Sequence, residues 1–136
     1  MTFAIVLVLA FFDLAAVKAE PDLNRRSEMA LANADEKLEA AHQAYMAGND
    51  AAEAADIQEV GDSVALCYQS LEQTHGAPRK SRYYKRAELK VSDLMRRLSG
   101  FRDEVNYDFR PKVDAVLKQI SDIHDQLLSD IMSKKK

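Results

Sequence analysis

The sequence predicts an all-α fold, an antiparallel up-down-up-down four-helix bundle behind an N-terminal signal peptide. Three observations carry that prediction. Four stretches repeat apolar residues at alternating steps of three and four, the spacing that lines one side of a helix. No stretch alternates apolar and polar residues with the period of two that a half-buried strand requires. The composition is rich in Ala, Leu, Glu, Asp and Lys, with 4 Gly, 3 Pro and no Trp, which favours helices.

The first element is the apolar run from Thr2 to Phe12. Val17-Lys18-Ala19 closes it with small residues at the two positions that a signal peptidase reads. Residues 1–19 are therefore expected to be a secretory signal, cut before Glu20 and directing the protein to the periplasm or beyond. Asp13 interrupts the run and Glu20-Pro21-Asp22 ends it, so it falls short of the roughly 20 apolar residues of a membrane span. No Lys or Arg precedes the run, and Asp13 is unusual beside it, which leaves an uncleaved anchor or a misassigned start codon as the alternatives. Residues 20–136 suffice for a single domain with one core.

The first bundle helix is expected over about 27–47, with Ser27 as N-cap and Leu31, Ala34, Leu38, Ala41 and Tyr45 as its stripe. Gly48-Asn49 supplies the break, because glycine tolerates the left-handed backbone that ends helices. The second helix, about 50–75 and capped by Asp50, carries Ile57, Val60, Val64, Cys67 and Leu71. Its short connection makes it antiparallel to the first, and the alanines between Ala30 and Ala55 allow the two backbones to approach closely.

Thr74-His75-Gly76-Ala77-Pro78 is the clearest loop. Ser81 caps a third helix over about 81–106, with a long ladder of Tyr84, Ala87, Val91, Leu94, Leu98, Phe101 and Val105. Gly100 inside it either kinks the helix or costs about 1 kcal/mol. The fourth helix, about 111–133, starts at Pro111, whose missing N–H is no loss in a first turn, with Asp108 or Arg110 preceding it. Val113, Val116, Ile120, Ile123, Leu127 and Ile131 form its stripe, and Lys134-Lys135-Lys136 follows it.

Leu38, Ala41, Tyr45, Gly48 and Ala54 fall where a tetratricopeptide-type hairpin places a large residue, a small one, an aromatic, a turn glycine and a small packing residue. Residues 38–61 thus resemble one such hairpin, which implies hairpin geometry and no activity. Gln58 and Leu66 stand where that motif has an aromatic and a helix-ending proline, and no second copy follows. As a whole the chain resembles short exported helical proteins of bacteria.

A net charge of −3 conceals an asymmetry. Residues 20–78 carry three basic and twelve acidic side chains, residues 79–136 fifteen basic and nine acidic. Either the two halves attract each other within the fold, or the basic half faces an anionic partner. Five cations and two tyrosines crowd into Arg79-Lys80-Ser81-Arg82-Tyr83-Tyr84-Lys85-Arg86. Cations at a helix start oppose its dipole, so something must compensate them. The candidate binding residues are Arg79, Lys80, Arg82, Tyr83, Lys85 and Arg86, extended by Lys90, Arg96 and Arg97. Phospholipid or an anionic wall polymer suits an exported protein better than nucleic acid does.

Signatures of catalysis are missing: no glycine-rich phosphate loop, no nucleophile elbow and no Cys or His pair at zinc spacing. The expectation is a non-enzymatic binding or structural module of the cell envelope, with no cofactor. The alternative is a small envelope enzyme or metal-binding protein using His124 with Asp122 and Asp125, although solvated surface positions suit these residues better. Cys67 is the single cysteine, and its place on a stripe reads as core, while pairing with a second copy stays open.

Overall fold

The computed structural model describes residues 13–133; the apolar run before Asp13 and the three terminal lysines lie outside them. Among the described residues there are five α-helices and no strand: α1 (Leu14–Lys18), α2 (Leu23–Met46), α3 (Asp50–Glu72), α4 (Arg82–Glu104) and α5 (Arg110–Met132). The last four are rods of about 35 Å. Short 3-10 turns, Pro78–Lys80 and Tyr107–Phe109, lead into α4 and α5.

Capping explains where the expected boundaries move. The first long helix starts at Leu23 rather than near Ser27, because the Asp22 carboxylate accepts from the backbone N–H of Asn24 and Arg25. The Ser27 hydroxyl instead donates to the Asn24 carbonyl at 2.6 Å inside the helix. Asn49, not Asp50, caps α3 by accepting from Ala52 N–H, and α3 ends at Glu72 rather than near 75. Ser81 caps α4 as expected, through Tyr84 N–H. Pro111 occupies the first turn of α5, as expected, and Phe109 holds the cap position without a side-chain bond. Gly48 turns the first hairpin at φ +73°.

The core is one cluster fed by all five helices. The stripes of α3 and α4 are buried from end to end; on the other two, Tyr45, Ile123 and Ile131 are only partly covered. Ala30, Ala34 and Ala41 are fully buried, and among the described residues α2 and α3 share the most extensive backbone approach.

Chain direction alternates from helix to helix. Asn33 meets Ser63 and Lys37 meets Glu59 across α2 and α3, while Glu88 meets His124 and Arg102 meets Asp114 across α4 and α5. The lateral order is less obvious. Glu28, Asp35 and His42 on α2 pair with Arg86, Arg97 and Glu104 on α4, so these helices run parallel. Gln58 and Tyr68 on α3 likewise meet Lys112 and Asp130 on α5. Two antiparallel hairpins are therefore stacked, like-directed helices face each other, and residues 73–81 cross the diagonal between α3 and α4, which touch only sparingly.

The segment expected to belong to the leader contributes to this fold. Asp13 caps α1 by accepting from Ala16 N–H at 2.9 Å, and Val17 is 2 % exposed within the core. α1 lies against α2 and α3. Burying a valine contributes about 2 kcal/mol, so a chain beginning at Glu20 is expected to be less stable than one keeping residues 13–19 by about that amount. Urea denaturation of the two chains checks it.

Candidate functional site

The cationic segment is built by the loop and cap that precede α4. Gly76, at φ +100°, turns the chain, and the Pro78–Lys80 turn delivers it to Ser81. From there helical geometry sorts the side chains. Tyr84, Ala87, Val91, Leu94 and Leu98 face the core, while Arg82, Lys85, Arg86, Leu89 and Arg96 follow one another on the opposite side.

These cations divide into two groups. Arg86 binds Glu28, Lys90 lies 3.5 Å from Asp35, and Arg97 bridges Asp35 at 2.5 Å and Asp93 at 3.5 Å. Arg96 is held by Asp93 on its own helix. Attraction between the acidic and basic halves thus accounts for Arg86, Lys90 and Arg97. Exposed pairs of this kind contribute about 0–1 kcal/mol each, so they select α4 as the neighbour of α2 more than they stabilise the fold.

The second group lies towards the loop. Arg79, Lys80 and Lys85 are exposed, and among the described residues their side chains have no hydrogen-bond or ion-pair partner. Arg82 has no carboxylate within ion-pair distance, only a longer-range attraction to Glu28; its guanidinium donates to the Tyr83 hydroxyl at 2.9 Å and lies 5.0 Å from the ring centroid. Arg79 and Lys80 also line an open recess of about 570 Å³ with Thr74, His75, Gly76 and Ala77. Among the described residues, Arg79, Lys80 and Lys85 therefore remain unmatched and Arg82 only weakly compensated, beside the positive end of the α4 dipole.

His124 is not a solvated surface residue. Its side chain is 14 % exposed, and Nε2 lies 2.8 Å from Glu88 Oε2 across α4 and α5. Asp122 is drawn to Lys118 at 3.2 Å, away from the histidine. Among the described residues no three His, Cys, Asp or Glu side chains converge on a point that could hold a metal ion. Cys67 is 1 % exposed, and burial pushes its thiol up to about 12, which keeps it protonated and unreactive.

The least expected group is Glu53, 1 % exposed in α3, with Oε2 buried and unbonded. Burial, and then the nearby Asp50 carboxylate, push its carboxyl up to about 7. The stripe pointed to it: one further step of four back from Ile57 lands on residue 53.

Among the described residues no helix is long and apolar enough to cross a membrane. No protein-family model, curated protein or solved structure matches the chain.

Proposed function

We propose that this protein is a non-enzymatic binding module of the cell envelope, exported by its N-terminal apolar segment. In this reading it holds an anionic partner against the start of α4. One observation carries the proposal: Arg79, Lys80 and Lys85 have no carboxylate partner among the described residues and Arg82 has only a longer-range attraction to Glu28, whereas Arg86, Lys90, Arg96 and Arg97 have carboxylates within ion-pair distance. Three unpaired cations and the weakly compensated Arg82 at a helix N-terminus leave a local positive potential that a phosphate or carboxylate ligand relieves. Arginine offers such a ligand a planar fork of donors, and lysine a mobile point charge.

The contrast between the two groups supplies the test. Inorganic polyphosphate is expected to bind the wild type, more weakly as salt rises from about 50 to about 200 mM. Replacing Arg79, Lys80, Arg82 and Lys85 by Gln should lower that affinity by about tenfold or more. Replacing the matched pair Arg86 and Lys90 should lower it much less. Wild-type protein that ignores polyphosphate at the lower salt overturns the reading.

A further inference from the structure

We propose that the outer face of α4 seats on an anionic lipid bilayer, with Leu89 entering the headgroup–acyl boundary beside Arg82 and Lys85. The proposal rests on the anionic-partner reading and narrows it to a lipid surface. Leu89 is 67 % exposed. Isolated exposed leucines are ordinary on soluble proteins, so its setting decides. Arg82, Lys85 and Leu89 lie within two turns on one stripe, directly opposite the buried Ala87 and Val91, while the flanking Arg86 is already paired with Glu28. The nearest acidic residue on that stripe, Asp93, is already held by Arg96 and Arg97.

A cationic helix face with an apolar residue at its centre is the arrangement that lies in a bilayer interface. Lysine and arginine reach the phosphates while their aliphatic stems stay along the apolar surface, and the leucine leaves water for hydrocarbon. A soluble polyanion or wall polymer would use the charges and gain nothing from Leu89. Asp103 and Glu104 occupy the far end of α4, which confines the contact to the half running from the Pro78–Lys80 turn to Lys90. One leucine and a few cations give weak, reversible attachment rather than anchoring.

The chain contains no tryptophan, so Leu89→Trp places a sole fluorescent reporter at this position. With vesicles of equal phosphatidylglycerol and phosphatidylcholine, its emission should shift to the blue and be quenched by lipids brominated on the acyl chain. Vesicles of phosphatidylcholine alone should do neither. Leu89→Gln should lower partitioning onto the anionic vesicles about five- to tenfold and leave polyphosphate binding unchanged. Circular dichroism of both variants should match the wild type, since residue 89 touches no core.

Emission that stays at the water-exposed wavelength on vesicle-bound protein overturns the bilayer seat. So does equal partitioning of Leu89→Gln and wild type, or binding to an anionic wall polymer without binding to vesicles. In those cases the anionic-partner reading survives wherever the Arg79, Lys80, Arg82 and Lys85 replacements still weaken polyphosphate binding. Wild-type protein that binds neither vesicles nor polyphosphate overturns both.

Discussion

Replacing Glu53 by Gln is expected to make the protein more stable at pH 8 by about 3 kcal/mol relative to its effect at pH 4, because the native carboxyl resists ionisation. Glu53 is buried, one oxygen has no hydrogen bond, and Asp50 adds a like charge one turn away. In the unfolded chain the carboxyl titrates near 4.5; in the fold it titrates near 7. The folded state therefore holds the proton more tightly, and its contribution is complete below 4.5. It is lost as pH rises through 7. Each tenfold difference in proton affinity between the two states corresponds to about 1.4 kcal/mol, and the two values bound the window. Asp56, raised chiefly by burial, adds in the same direction. Urea denaturation of the wild type and Glu53→Gln at several pH values between 4 and 8 isolates the Glu53 part. Curves that run parallel across that range would show that the carboxylate is solvated after all.

Glu53 also shows where the sequence stops being legible. A three-and-four repeat states which positions face inward, and from Ile57 to Leu71 that statement holds residue by residue. The same repeat reaches Glu53, where side-chain chemistry argues for water and helical geometry for burial; geometry prevails because the preceding turn locks the helix in phase. Ser27 shows the opposite ambiguity. A serine just before an apolar run suits a cap or an internal hydroxyl–carbonyl bond equally well, and Asp22 behind Pro21 is the stronger cap.

Lateral order was hidden for another reason. A stripe directs a helix to a core without naming the neighbour on either side, so alternating direction was readable and the stacking of α2 on α4 was not. The discriminating partners, Glu28 with Arg86 and Asp35 with Arg97, lie 58 and 62 residues apart. The charge imbalance offered attraction between the halves as one of two readings, and did not say which cations that attraction would leave over. That remainder, from Arg79 to Lys85, is what makes a candidate surface out of a run of basic residues. His124 escaped similarly, since Glu88 lies on another helix and no local pattern joins them.

The two helical glycines outside turns are expected to respond in opposite ways to a larger side chain. Gly61 is buried in α3 where α5 comes close: an added Cβ would collide with the Gln119 side-chain carbonyl and crowd Val116 Cγ1 at 3.3 Å. The end of the Gln119 side chain is flexible and can swing aside, so Gly61→Ala should be near neutral, its gain in helix propensity offset by that displacement. Gly61→Leu has no such escape. It must push α3 from α5, and overpacking of this kind costs about 3 kcal/mol. The parallel seam that carries Tyr68 to Asp130 and Gln58 to Lys112 should loosen with it. At Gly100 a Cβ meets nothing within 4 Å, because the residue borders an open groove over Leu38 and Phe101. Gly100→Ala should therefore stabilise the protein by about 1 kcal/mol, the ordinary gain of alanine over glycine inside a helix. Thermal denaturation of the three variants separates the cases, and a large loss at Gly100 would mean that this groove is closed by something the glycine must admit. A Gly61→Leu protein as stable as the wild type would show that α3 and α5 are not seated on each other, and the stacking of the two hairpins would fall with that contact.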